Sequence, residues 1–425
     1  MKIRRNRKKY VWSVACLTAL LGVSCSGNRA KGNGLGKEVV RIAVAEALEY
    51  PSELKVSDLG SDVRLVALET TDSSLVAGDP TLMLLDAHIV VYTEKDCLLF
   101  DKASGRFLGR VGQVDQGPEG ATCASPFYDA AEGKLLFKRV PDVLQVYDLE
   151  GRYQGKRRLP TQVDPFVDWV SSTWGQVGYR YSLLADFPAY PLVFSDASGC
   201  LVDSVPQRLS SAAFSESREF SVIHLMDLGL SAGLQVTCTN GDRLLDVVSN
   251  DYLWKRGEEV RWKETFSDTI YQVSRQEVRP TAYFDLDEAH WGMEARTQAE
   301  APASRMLVTA LLDSPQALFF QCVRGVFQRE PEVFNGVYHY ATGTTRLAPE
   351  QNGLVYDGLD FPPFRPSAVS AKGEFGMLLQ AADALEWLGE QGNEPVDDRF
   401  SVLGALHEED NPVVVIVSPK PSIYL

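Results

Sequence analysis

The sequence is poor in the residues that most enzymes rely on for polar chemistry. Only five histidines occur in 425 residues, at positions 88, 224, 290, 339 and 407, and no two stand at His-x-x-x-His spacing. A Gly-x-Ser-x-Gly elbow is also missing, so the linear signals of zinc peptidases and α/β-hydrolases are absent. Seven cysteines are present without a Cys-x-x-Cys pair, which leaves no sign of a zinc site or a thioredoxin-like redox couple. Positive charge is scarce too: 42 Lys and Arg face 57 Asp and Glu, for a net charge of -15. Such an acidic surface repels phosphate backbones and argues against nucleic acid as a partner. Long apolar runs and long helical periodicity are likewise missing. What remains is globular in composition, 45% hydrophobic and 10% aromatic, with 33 Gly and 22 Pro.

Six of the cations, Lys2, Arg4, Arg5, Arg7, Lys8 and Lys9, precede residue 10, followed by an apolar stretch from Val11 to Val23 that is too short to span a bilayer. This pattern predicts an export signal over residues 1–24. Its end, Leu21-Gly22-Val23-Ser24-Cys25, resembles the lipobox of bacterial lipoproteins, in which the cysteine is acylated and becomes the new N-terminus. The resemblance assigns lipidation to Cys25 and makes the bilayer a partner. It places the chain in a bacterial envelope, on the outer membrane, facing the periplasm or the exterior. Removal of residues 1–24 leaves 36 cations against 57 carboxylates. Residues 25–37 are small and polar, as a flexible tether should be. Gly32-Asn33-Gly34-Leu35-Gly36-Lys37 within it lacks the preceding strand and following helix of a phosphate loop.

Residues 38–425 read as one all-β domain. Short β-branched and aromatic runs alternate with Gly, Asp, Asn and Ser. One unit recurs: Leu98-Leu99-Phe100-Asp101 turning at Gly105, Gln145-Val146-Tyr147-Asp148 turning at Gly151, and Val193-Phe194-Ser195-Asp196 turning at Gly199. Each reads as a hairpin whose glycine supplies a positive φ. The glycines are 46 and 48 residues apart, the length of one four-stranded propeller blade. Weaker copies lie at Thr269–Ser274 and Val337–Leu347. The remaining length fits six four-stranded blades with two small helical insertions. One is expected near 285–313, rich in Ala, Glu and Arg; the other near 374–390, where Phe375, Leu378, Ala382 and Leu385 recur at helical spacing.

Several ordered elements carry a family resemblance: Val56-Ser57-Asp58-Leu59 before Val63–Leu68; the Phe-Asp hairpin running into Gly109-Arg110-Val111-Gly112; Gln116-Gly117-Pro118-Glu119; Ser267-Asp268-Thr269-Ile270-Tyr271; and Asn411-Pro412-Val413-Val414. The chain resembles the six-bladed β-propeller lipoproteins of unknown function that abound in Bacteroides-type bacteria. It departs from them after Pro118, where Glu119-Gly120-Ala121 stands in place of Gly-Glu-Tyr. The resemblance implies fold and anchoring, and it transfers no activity.

Ligand contacts are expected from Asp115, Gln116 and Glu119, in a connection between blades, and from Trp174, an aromatic in a polar loop that could stack on a sugar ring. The competing reading of the first three is turn chemistry, and that of Trp174 is core packing. Asp285, Asp287, Glu288 and His290 lack calcium-loop spacing and read as a solvated face. No catalytic residue, metal or cofactor is assigned. The function that fits is non-catalytic binding of a glycan, peptide or envelope protein. The alternatives are a hydrolase or lyase whose groups converge in the channel, which a strongly shifted carboxylate would mark, and a scaffold without a small ligand.

Overall fold

The computed structural model describes residues 39–419, except 113–116, 118–119, 122–124, 140–142, 159–165, 182–187, 197–198, 209–218, 250, 276, 298–301 and 392–396. The described strands build six sheets of the predicted kind. The first comprises Thr81–Leu84, His88–Tyr92, Cys97–Asp101 and Phe107–Arg110, each strand antiparallel to the next. The second spans Pro126–Asp129 to Tyr153–Arg158, the third Phe166–Ser172 to Leu201–Val205, and the fifth Met306–Asp313 to Thr344–Pro349. The fourth, Leu253–Arg256 to Val278–Phe284, gains a fifth strand when Val40–Ile42 pairs in parallel with its outer edge. The sixth joins the two ends of the domain: Ala368–Val369, Phe375–Leu379 and Val413–Ser418 are completed by Asp62–Ala67, in register from Asp62 opposite Ser418 to Ala67 opposite Val413. That is the pairing which removes the open edges of a ring.

Apolar runs with little alternation are what this arrangement needs, because a strand inside a stack of sheets is buried on both faces. In Cys97–Asp101, Leu98 and Phe100 pack toward the sixth sheet, whereas Cys97 and Leu99 pack toward the second. Val413, Val415 and Val417 face the fifth sheet while Val414 and Ile416 face the first. The remaining gaps are filled in the same way: Leu136 and Val146 against Trp169 and Val193, Val177 and Phe194 against Val260 and Trp262, Ile270 and Phe284 against Phe320 and Cys322. Each sheet thus contacts the next, and the sixth returns to the first. At this last junction the buried Lys102 ammonium donates to the Leu85 carbonyl at 2.9 Å and pairs with Glu374 at 2.6 Å.

The recurring hairpins join the third and fourth strands of successive sheets. Gly105, Gly151 and Gly199 have φ of 73°, 80° and 83°. Their Asp partners cap the turns: Asp101 accepts from the Ser104 N–H at 2.8 Å, Asp148 from that of Arg152 at 2.8 Å, and Asp196 from that of Cys200 at 3.0 Å. Close approach adds a second reason for glycine. A Cβ on Gly105 would lie 1.9 Å from the Ala67 carbonyl oxygen, on Gly199 2.4 Å from that of Arg158, and on Gly151 3.0 Å from that of Arg110. All three oxygens end the outermost strand of the preceding sheet.

Two expectations are corrected. Among its described residues the segment 285–313 contains two short 3-10 turns, Asp287–Ala289 and Met293–Thr297, and ends in Met306–Asp313, the innermost strand of the fifth sheet. Of 374–390, only Ala381–Glu390 is helical; Phe375 and Leu378 belong to the strand Phe375–Leu379. Among the described cysteines, Cys200 is an exposed free thiol, and Cys97, Cys238 and Cys322 are buried ones. The larger insertion lies between the third and fourth sheets, as a three-stranded sheet of Phe220–Asp227, Ala232–Cys238 and Arg243–Val248. It stands outside the ring order, since Phe166–Ser172 packs directly on Leu253–Arg256. Its Met226, Leu245 and Val247 instead meet Leu307, Val323 and Phe327 of the fifth sheet and its loop.

Candidate functional site

The first strand of each sheet has a partner on one side only, so six such strands surround a central cavity of about 1000 Å³. Met83, Phe127, Val170, Leu253, Leu311 and Val369 each bring one of these strands to its wall. The turns that follow them form a rim with Asp86, Ala131, Thr173, Glu258 and Ala371. Deeper, the wall is aromatic, with Tyr92, Trp169, Tyr181, Tyr252 and Trp254. Among the described residues, neither histidine nor cysteine lines it. No group of three or more His, Cys, Asp or Glu side chains able to hold a metal occurs among the described residues.

The carboxylates of the cavity differ in what holds them. Asp313 is saturated: it accepts from the Trp254 indole at 2.9 Å, Arg261 at 3.0 Å and the Tyr340 hydroxyl at 2.8 Å. Asp86, on the rim, lies 3.4 Å from Lys372. Asp168 sits beside a register shift in its strand and accepts three backbone N–H groups, those of Trp169 at 2.7 Å, Tyr252 at 2.9 Å and Leu253 at 2.7 Å. It therefore ties the third sheet to the first strand of the fourth. Asp251 is different. Its side chain is exposed at the cavity wall, and no hydrogen-bond donor or cation reaches it among the described residues. Burial, followed by the charge of Asp251, pushes the Asp168 carboxyl up to about 8, against the pull of its N–H donors. Burial pushes Asp251 up to about 6.

Tyr252 stacks against both Tyr179 and Tyr181, with ring centroids at 4.7 and 5.6 Å and interplanar angles of 28° and 27°, and those two rings lie 6.3 Å apart. Tyr181 in turn bonds Asp246 of the inserted sheet, which pairs with Arg296. The inserted sheet thus braces this side of the cavity.

The sequence-derived site residues are not brought together here. Asp115, Gln116 and Glu119 lie outside the described residues, as does Cys25. Of their connection, Gly117 and Gly120 are described, and their carbonyls accept from Arg139, with Gln145 donating to Gly120 at 3.1 Å. That connection leads into the start of an innermost strand, whereas Trp174 follows the end of one, at the rim beside Thr173. Trp174 is half-buried, its ring 5.9 Å from that of Phe194. Asp168 and Asp251 were not singled out from sequence. A charged residue inside Phe166-Val167-Asp168-Trp169-Val170 is a signal of a buried polar role; Asp251, in a polar loop, offers none. Asp287 and Glu288 are exposed, His290 is half-buried, and Asp285 pairs with Arg41 at 2.5 Å.

A model of the family described as a domain of unknown function (DUF4934) matches residues 39–418. The chain belongs to this DUF4934 family. No curated protein sequence matches it. Among solved structures, a Bacteroides fragilis protein described as exported superposes with a TM-score of 0.59 at 15% identity, covering 89% of this chain and 99% of that one. A DUF4221 member from Bacteroides vulgatus gives 0.43 at 9% identity over 84% and 98% of the two chains. The WD40 repeats of RRP9 give 0.38 at 8% identity over 87% and 99%. The fold of this DUF4934 chain is a β-propeller. No helix among its described residues is long and apolar enough to cross a membrane.

Proposed function

We propose that this DUF4934 protein is a six-bladed, lipid-anchored envelope protein that holds a small ligand in its central cavity without converting it. The cavity carries the reading. Its volume of about 1000 Å³ is of the size that takes a small organic molecule, and its wall combines aromatic faces with a few polar groups, the composition of binding pockets. Glycans and short peptides both suit such a wall. The anchor rests on the export signal and on Cys25, and mass spectrometry of envelope protein should find Cys25 acylated at the mature N-terminus; a mature form beginning elsewhere rejects it. The cavity is tested by closing its rim. Ala131 and Ala371 lie on exposed turns. Ala131→Trp with Ala371→Trp should weaken at least tenfold the binding of a ligand found in a screen of envelope glycans and peptides, with an unchanged melting temperature. Undiminished binding by the double variant removes the cavity from the site.

The raised carboxyl groups favour a second reading, an enzyme with a channel acid or base. Against it, Asp168 has its oxygens occupied by three N–H donors, which leaves Asp251 without a second mobile carboxylate beside it. Recovery of the screened ligand intact supports binding, whereas turnover that disappears in Asp251→Asn establishes the enzyme.

A further inference from the structure

A second cavity, a groove of about 720 Å³, lies at the end of the ring away from the rim. Asp79 and Pro80 lead into the innermost strand of the first sheet, Ser367 leads into that of the sixth, and Leu379 ends the strand paired with the latter. These are the entering ends of the innermost strands, whereas Asp86 and Ala371 of the rim follow the far ends of the same two strands. Residues 360–363 of the hairpin strand Leu359–Phe364 and the helix Ala381–Glu390 complete the groove.

Its lining combines apolar and acidic groups. Pro80, Pro362, Pro363 and Leu378 are each partly exposed there, among the exposed carboxylates Asp79, Asp360, Asp383, Glu386 and Glu390. One cation, Arg365, shares the lining among the described residues. Its guanidinium donates to the Gln351 carbonyl at 2.8 Å and lies 3.9 Å from Glu350, and neither of these residues lines the groove. The helix supplies three of the carboxylates at i, i+3 and i+7, which puts them on one face. Asp383 with Glu386, and Glu386 with Glu390, are like-charge neighbours that a helix disfavours. Glu390 also stands in the last turn, where the helix dipole is itself negative and no basic residue offsets it. Cations seated along this face relieve all of these repulsions.

We propose that this groove docks an extended basic segment of a partner protein, with Lys or Arg side chains on the helix carboxylates and apolar side chains on the prolines and Leu378. The charges are complementary, and so is their spacing. Along the helix axis Glu386 and Glu390 are separated by about 6 Å, and Asp383 and Glu390 by about 10 Å. Alternate side chains of an extended chain recur about every 7 Å. Two or three basic residues at alternate positions therefore meet these carboxylates in turn, which one compact cation cannot do. The groove and the central cavity open at different ends of the ring, so this docking stands or falls apart from the ligand proposed for the cavity.

The test uses the full chain in detergent and fluorophore-labelled peptides read by anisotropy: Lys-Leu-Lys-Leu-Lys, the same peptide with Glu for Lys, and the same peptide with Ser for Leu. The first should bind and the other two should bind more weakly. Glu386→Gln with Glu390→Gln should weaken the lysine peptide about fivefold, the combined effect of two exposed ion pairs. Glu277→Gln with Glu330→Gln removes the same charge from exposed turns of the fourth and fifth sheets, outside the groove, and should leave the affinity within about twofold. Should the first double variant melt earlier than the wild type, Asp79→Asn with Asp360→Asn tests the groove from outside the helix. Equal weakening by the groove and control variants overturns the proposal, because only the overall negative charge would then be at work. A serine peptide that binds as tightly also overturns it, as does spermidine displacing the lysine peptide at matching concentration. Absence of binding at millimolar lysine peptide does the same.

Discussion

A turn glycine carries more of this fold than its size suggests. Gly105 combines a φ of 73° with a carbonyl oxygen 1.9 Å from where its Cβ would be, so a side chain there meets both backbone strain and the preceding sheet. Gly78 has a φ of 75° with nothing within 4 Å of a Cβ position. The two separate strain from contact. Gly78→Ala should cost about 1 kcal/mol, the left-handed penalty alone, and Gly105→Ala about 3 kcal/mol or more, because the Ala67 strand must move. Urea unfolding of both variants checks the difference; equal losses would mean that the hairpin does not press on its neighbour. The hairpin glycines were legible in the sequence through their spacing. Their second role was not, since Ala67 is far from Gly105 along the chain.

At the scale of elements, the reading succeeded where strands alternate with turns and failed where both faces are buried. All eight residues of Met306–Asp313 are buried, so no period of two marks the strand, and its neighbourhood of Ala, Glu and Arg suggested helix. Phe375 and Leu378, three apart, fit a helical face equally well, yet Phe375 packs toward the fifth sheet and Leu378 toward the first. Only Ala381–Glu390 keeps helical geometry, its Trp387 ring 4.8 Å from Phe361 and 5.2 Å from Phe400. The inserted sheet reverses the usual link between hydrophobicity and burial. In Phe220–Asp227, Val222, Ile223 and Leu225 are exposed by 56%, 52% and 70%, so apolar side chains that a sequence assigns to a core stand at the surface.

The whole molecule depends on a pairing between its ends. Asp62–Ala67 and Val413–Ser418 are neighbours only because five other sheets carry the chain round to the start. Val414 and Ile416 belong to one interface and Val413, Val415 and Val417 to another, so this strand glues both sides of the closing sheet. Deleting residues 411–425 should therefore abolish cooperative unfolding rather than lower the midpoint slightly, since both the first and the fifth sheets lose a packed face. A truncated chain that melts in one sharp transition at the original temperature would show that the ring does not need its closure. The same dependence makes the site collective. Its wall takes side chains from six strands scattered over residues 83 to 371, and removing any sheet opens it.

The sequence by itself determined the β class and the repeating hairpin, because these follow from local hydrophobic pattern, turn chemistry and regular spacing. The sequence also predicts an export signal and a tether, and both lie outside the described residues. Tertiary structure alone decided the cavity and its charge. Asp168 and Asp251 are 83 residues apart and belong to no shared motif. They meet because the third sheet packs on the fourth, and what distinguishes them is the set of groups each one finds there: three N–H donors for Asp168, and an open cavity for Asp251.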